Sequence, residues 1–406
     1  MDIFRYGIDS SVRLELDRDA TAVDCGASPG ESLDEPKDAL KAALENPLEY
    51  PPLAQCVTPG DRIVLALDHG VPRAGELAAA VIEELLAAGV GADGISILLA
   101  DEDLRASGND PREFLAEPLR ERITLTIHDP SDTERMAYLA ATDSGEPVVI
   151  NRSLHDADLI LPIGCLHDSA SAGYFGIHTS LFPGFSDERT RSRFRSPATL
   201  DTHRRQKQKL IEETEHVAWL LGINFTIQVV PSADNSVLHV LAGQSAAVSL
   251  RGRELYDLAW NCRPRQKASL VVASISGDST QQTWENFGRA TAAASALVEE
   301  GGAIAVCCDL AGSPGPAARR VMGSRSRDAA LRRIRKDRPD DILPVVQLAA
   351  ALEYAKVYLL SRLDDEVVEE LEMTPLAGAA ELERLARQHK SCILLDNAPY
   401  VVVSEP

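Results

Sequence analysis

Apolar residues along this chain fall into two rhythms, and each predicts a different element. Short unbroken apolar runs alternate with stretches in which apolar residues return every three or four positions. An unbroken run fits a strand buried on both faces, whereas the three-to-four spacing is one face of a helix. The runs at 62–67 (RIVLAL), 95–100 (ISILLA), 123–127, 148–150 and 159–163 (LILPI) predict strands. Between the first two, 75–88 places Leu77, Val81, Ile82 and Leu85 on one helical face, and 136–141 predicts a short helix. The opening residues 2–16 alternate around Gly7 and predict a hairpin, followed by a short helix at 38–45. Strands alternating with helices imply parallel βαβ units covered on both faces.

Residues 165–195 break the rhythm with a connection rich in Gly, Ser and His, then the charged run SDERTRSRFRS. A helix at 202–221, strands at 224–230 and 237–241, and a helix at 246–260 follow. At 261–267 (NCRPRQK) proline interrupts a basic, polar run, which predicts a hinge. The alternation then restarts, with strands at 269–273, 303–307, 357–360 and 392–395. Helices are expected at 283–299, 316–335, 340–354 and 378–388, and no internal repeat interrupts the pattern. The predicted fold class is α/β, with two parallel-sheet domains, 1–262 and 268–406, and a cleft between them. The last residues are free to pack back on the first domain.

Composition narrows the partners. Against 41 Lys and Arg stand 62 Asp and Glu, a formal charge of -21, which repels a phosphate backbone and argues against nucleic acid. Seven scattered cysteines without a C-x-x-C pair predict reduced thiols in a cytoplasmic protein and give no zinc spacing. No apolar run reaches the roughly 20 residues that span a bilayer, and the charged opening does not resemble a signal peptide. Only 8 residues are lysine, and none lies between Lys41 and Lys207, so no lysine chemistry is available in that stretch.

Ligands of open parallel sheets bind beyond the carboxyl ends of strands, so the residues there are the candidates for chemistry. The first predicted strand is followed by Asp68-His69-Gly70-Val71-Pro72-Arg73, the second by Asp101-Glu102-Asp103-Leu104-Arg105, and LILPI by Gly164-Cys165-Leu166-His167-Asp168-Ser169. After 269–273 comes Ser276-Gly277-Asp278-Ser279-Thr280, which fits either an anion-binding helix start or an ordinary N-cap. His69, His167 and His178 are the candidates for proton transfer, although His167 and His178 match no metal-ligand spacing. Cys307 and Cys308 end a hydrophobic strand and read as buried thiols. The Arg-rich run at 331–338 reads as a solvated helix face. Dinucleotide, P-loop and nucleophile-elbow signatures do not occur.

Three landmarks in order resemble the lactate racemase family, LarA. They are Asp68-His69 with Pro72, Ala172-Gly173-Tyr174 with Gly176 and Pro183-Gly184, and Val298-Glu299-Glu300-Gly301-Gly302. The resemblance runs from about residue 10 to 400 and implies a two-domain α/β fold with the active site between domains. Active members of that family carry a nickel-pincer nucleotide tethered through lysine, and a histidine pair racemises or epimerises 2-hydroxy acids. The family segment H-x-x-A-G-[YF]-S-G-G-x-K-x-x-x-P-G, anchored on Ala172-Gly173 and Pro183-Gly184, puts Ser169 at the histidine and Thr179 at the lysine. Phe175 and Ile177 replace its serine and second glycine. In the family's A-T-G-x-H-R stretch Leu104 takes the place of the other histidine, beside Arg105. Val71 replaces the arginine of D-H-T-R-P, with Arg73 two residues on. The family's substrate-binding glutamine and lysine fall on Asn286 and Arg289, and its distal metal histidine falls near Arg195.

Tether, acid/base histidines and distal ligand are thus replaced together, while an amide and a cation persist. The resemblance then implies a cleft for a small anionic hydroxy acid, sugar acid or nucleotide, lined by Asp68, His69, Arg73, Arg105, Ser169, Tyr174, Thr179, Ser276, Asn286 and Arg289, without nickel-pincer chemistry. Two alternatives stay open. One is an active racemase or epimerase using His69, His167 or His178 with a noncovalent cofactor or another metal; the other is a structural or regulatory protein with a vestigial cleft.

Overall fold

The structure is a computed structural model and describes residues 3–13, 21–22, 30–100, 110–142, 145–197 and 204–404. Two six-stranded sheets organise it. In the first the strand order is Val237–Gln244, Phe225–Pro231, Leu159–Cys165, Ile63–Leu67, Ile95–Leu99, Thr124–Ile127, parallel except for the Val237–Gln244 edge. The second runs Thr374–Pro375, Lys356–Leu360, Val298–Cys307, Ala268–Ser274, Ser391–Leu395, Thr21–Ala22, parallel throughout. This is the α/β architecture that the alternating pattern predicts.

Side chains on the central strands divide between two cores with a period of two, as a pleated strand requires. Ile63, Leu65 and Leu67 enter one core with Leu77, Val81, Ile82 and Leu85 of the helix Ala74–Ala87. Val64 and Ala66 enter the opposite core with Leu210 and Val217 of the helix Arg204–Leu220. Pro162 is tolerated inside the sheet because the ladder to Phe225–Pro231 begins only at Ile163.

Several expectations change. The residues 136–141 form the strand Met136–Ala141, not a helix, because they pair antiparallel with Pro147–Asn151. Local preference in such a short apolar stretch is weak and the partner strand decides. The single helix expected over 316–335 divides at Gly323 into Pro316–Met322 and Arg327–Asp337, the second capped by the Ser326 hydroxyl. The irregular connection 165–195 is not a loose loop. Phe175, Leu181, Phe182, Phe185 and Phe194 are fully buried beneath the first sheet, and Glu188–Phe194 is helical.

The termini cross over. The hairpin Ile3–Tyr6 and Ser10–Arg13 packs on the second sheet, with Phe4 and Val12 against Leu270 and Val272. Its turn, Gly7, exchanges backbone hydrogen bonds with Ile275 and Gly277, and any Cβ there would meet the Asp309 carboxylate at 2.5 Å. At the expected hinge, Asn261–Cys262 pairs in parallel with Val402–Val403, so both chain crossings run side by side.

Candidate active site between two switch points

In each sheet the strand order reverses at one place. In the first, Ile63–Leu67 is followed by strands on one side while Leu159–Cys165 lies on the other. In the second, the reversal separates Ala268–Ser274 from Ser391–Leu395. Loops diverge at such a point and leave a crevice at the carboxyl ends of the strands. The residues leaving the first reversal are Asp68-His69 and Leu166-His167; those leaving the second are Ile275-Ser276 and Asp396 to Tyr400.

These two sets meet. The His167 ring stacks on the Tyr400 ring, with centroids 6.0 Å apart and planes at 26°, and meets Tyr174 edge-on at 5.7 Å. Tyr400 is fixed in turn. Its hydroxyl donates to Gln281 Oε1 at 2.8 Å, its carbonyl accepts from the Tyr256 hydroxyl at 2.6 Å, and its ring packs on Trp260. Gln281 also receives the Asn286 side-chain amide, through its backbone oxygen at 2.9 Å and Oε1 at 3.3 Å. Arg289, one turn further along the helix Trp284–Leu297, donates to Asn286 Oδ1 at 3.3 Å and reaches across to the Ala172 carbonyl at 3.4 Å. Its Nε is buried and has no hydrogen-bond partner among the described residues.

The electrostatics of this cluster are unusual. Burial lifts the Asp68 carboxyl to about 6, against the opposing pull of His69, whose backbone N–H also bonds it, and of Arg289. Burial, then the positive charges of Arg289 and His69, hold the His167 imidazole well below its ordinary value, so it is neutral. Its Nδ1 is shielded from solvent and has no partner among the described residues. Burial likewise raises the Tyr174, Tyr256 and Tyr400 hydroxyls and the Cys165 thiol, so all stay protonated. A neutral imidazole, a carboxyl that titrates near 6 and an incompletely bonded guanidinium therefore share one crevice. That set can hold an anion and exchange a proton beside it.

The remaining candidates are elsewhere or already engaged. Thr179 closes its own turn, accepting from Phe175 N at 2.8 Å and donating to Gly176 O at 2.7 Å. Ser169 is exposed beside Asp168. Arg73 takes the left-handed conformation ahead of the helix Ala74–Ala87 and is bound to Asp34 O and Glu76. Ser276 is buried with both its N–H and hydroxyl on Asn397 Oδ1, and Asp278 and Gly7 engage neighbouring donors of the 276–280 segment. Neither an open anion cradle nor a helix cap therefore forms there; Thr283 caps the helix instead. His178 is buried, and burial alone pushes it down to about 4. Arg195 is ion-paired with Glu188 and Asp340. Arg105 and Leu104 lie outside the described residues. Cys307 and Cys308 are buried as expected.

Tyr400, Gln281, Tyr256 and Trp260 escaped the sequence reading. The signal for Tyr400 was present: Asp396-Asn397-Ala398-Pro399-Tyr400 follows the last predicted strand, and the rule that found the other loops applies to it equally.

Comparison with known proteins agrees with this architecture. Residues 6–204 match the family model of the lactate racemase N-terminal domain. The chain is 23% identical over 367 residues to the lactate racemase of Thermoanaerobacterium thermosaccharolyticum, covering 86% of this chain and 85% of that protein. It is 22% identical over 279 residues to the lactate racemase of Lactiplantibacillus plantarum, covering 66% and 65%. Its fold superposes on the apoprotein structure of the Thermoanaerobacterium enzyme with a TM-score of 0.78 at 18% identity, covering 99% of each chain. A protein from Thermotoga maritima follows at a TM-score of 0.67 and 13% identity, covering 93% of this chain and all of that one. Among the described residues, no helix is long and apolar enough to cross a membrane. The ordered landmarks, the domain match and the shared fold together establish that this chain belongs to the lactate racemase family, LarA.

Proposed function

We propose that the crevice between the two domains, assigned as 1–262 and 268–406, binds a small anionic molecule of the hydroxy-acid, sugar-acid or nucleotide kind, without nickel-pincer racemase chemistry. One observation carries the reading: Arg289 reaches from the second sheet's helix to the loop leaving the first, and its buried Nε has no partner among the described residues. A guanidinium so placed is suited to a carboxylate, which supplies two acceptors in its plane. Asn286 supports it, and Asp68 and His167 flank the same space.

The residues present do not fit a lysine-held nickel nucleotide. Thr179 stands at the tether position with its hydroxyl committed to the turn. Ser169, at the first catalytic histidine's place, faces solvent, and at the distal metal ligand's place Arg195 brings a cation already ion-paired. A cation there repels a metal.

Calorimetric titration with lactate, gluconate and adenosine monophosphate tests the proposal. The native protein is expected to bind at least one of them, and Arg289→Met to weaken that binding by about thirtyfold or more, the loss typical of unpairing a desolvated charge. No binding of any probe would favour a vestigial crevice.

A second reading, an active racemase or epimerase, is favoured by the pairing of a neutral His167 with a carboxyl titrating near 6. On this reading His167 accepts a proton at the bound acid and Asp68 returns one. Enantiomer analysis of lactate incubated with native and His167→Ala protein separates the two readings. Interconversion lost in the variant supports catalysis, and none in the native protein excludes it.

A further inference from the structure

Lys207 ends the long lysine-free stretch, and in the fold it returns to the loop that leaves the first sheet beside the crevice. It lies in the first turn of the helix Arg204–Leu220, and its Nζ donates to the Ser171 carbonyl at 3.2 Å. The ammonium also lies 6.0 Å from the centre of the Phe175 ring. The next carbonyl along the chain, that of Ala172, holds Arg289 at 3.4 Å. Two cations, one from each half of the molecule, thus grip successive carbonyls of a single loop.

Among the described residues, neither cation makes an ion pair, although the chain holds 62 acidic residues. Asp168 attracts the Lys207 ammonium without pairing with it, and its Oδ2 accepts from Ala170 N at 3.0 Å. Burial outweighs that attraction and pushes the ammonium down to about 8. A half-buried ammonium and a half-buried guanidinium that no carboxylate pairs directly pay a desolvation cost that a bound anion offsets. Consecutive α-carbons stand about 3.8 Å apart, so with bonds of 3.2 and 3.4 Å to successive carbonyls the two cations stand at most on the order of 10 Å apart. A three- or four-carbon acid with anionic groups at both ends spans that gap with a hydrogen bond at each end.

We propose that Lys207 and Arg289 form a two-point cradle, so that the crevice prefers hydroxy acids bearing a second anionic group, the first acid on Arg289 and the second on Lys207. This inference rests on the anion-binding reading above and names the class of ligand within it. The second anion is a carboxylate or a phosphate, and the test separates them.

Titrations of the full chain with lactate, malate and 3-phosphoglycerate at one ionic strength provide that test, because all three are 2-hydroxy acids and only the last two carry a second anion. The native protein is expected to bind malate or 3-phosphoglycerate at least about tenfold more tightly than lactate. Lys207→Met should weaken the preferred dianion about tenfold more than it weakens lactate, and Lys207→Arg should retain most of the preference. Whichever dianion is favoured identifies the second group. Equal affinity for lactate and both dianions, with binding that still depends on Arg289, overturns the cradle and leaves the anion site standing. An equal loss for all three ligands in Lys207→Met, with Lys207→Arg equally impaired, also overturns it. Absence of binding by all three also overturns the cradle, and it defeats the underlying reading where gluconate and adenosine monophosphate fail to bind as well.

Discussion

The imidazole of His167 stacks against the phenol of Tyr400, 6.0 Å between centroids, and this contact joins the carboxyl-end crevices of two separate sheets. Tyr400 shields the ring from water and Arg289 opposes its protonation, which together keep it neutral. Tyr400→Ala should therefore raise the His167 pKa toward the ordinary histidine value near 6.5. Histidine carbon–proton correlation spectra across pH 4 to 8 check this, with Tyr400→Phe as the control that keeps the ring. An unmoved His167 resonance in the alanine variant would mean the stack plays no part.

Gly288 sets where Arg289 stands. A methyl group at Gly288 would lie 2.7 Å from the Pro344 α-carbon and 2.5 Å from Gln347 Oε1, because the helix Trp284–Leu297 packs tightly on Ile342–Tyr354. Alanine normally improves a helix by about 1 kcal/mol over glycine. Overpacking against backbone outweighs this, and Gly288→Ala should lose about 1–2 kcal/mol in denaturant unfolding. Displacement of the adjacent guanidinium should also weaken anion binding.

Asp68 gives the fold a defined pH signature. Its carboxyl is raised to about 6 in the folded chain, mainly by burial. An unfolded aspartate titrates near 3.9, so the folded state holds its proton more tightly. The resulting stability is fully present below about pH 4 and is lost as pH rises through 6. Asparagine never ionises, so Asp68→Asn should gain about 1–2 kcal/mol relative to the native protein between pH 4 and pH 7, discounted for partial exposure. Urea unfolding of both proteins at pH 4, 5.5 and 7 measures the difference; a constant difference contradicts the assignment.

Thr179 is used by the loop itself. Thr179→Val strips the acceptor from Phe175 N and the donor from Gly176 O. The expected cost is about 1–2 kcal/mol by chemical denaturation, with Thr179→Ser close to native. Thr179→Lys should be destabilised like valine, since its amine cannot reproduce both bonds.

Hydrophobic period alone located the strands of both sheets, except the two-residue edges Thr21–Ala22 and Thr374–Pro375, and the helical face of Leu77, Val81, Ile82 and Leu85, because parallel strands buried on both faces leave unbroken apolar runs. Asp68, His167, Asn286 and Arg289 were legible as strand-end or motif residues. Their convergence was not, because it depends on strand order, which no local pattern encodes. Tyr400 reaches His167 only because Ser391–Leu395 inserts beside Ala268–Ser274. The 136–141 strand was missed for the same reason, since its partner strand decides its conformation. The buried phenylalanines of 165–195 were hidden by their glycine-rich surroundings. The lysine gap was visible at once, but the return of Lys207 to the Ser171 carbonyl required the fold.

The central claim is an anion-binding crevice that works without a lysine-held nickel nucleotide, and intact-mass and nickel analysis tests it most directly. The protein should be produced alongside the enzymes that make the nickel-pincer nucleotide, then weighed intact and assayed for metal. The account predicts the mass of the unmodified chain and substoichiometric nickel. A covalent increment of nucleotide size, or one nickel per chain, would contradict it.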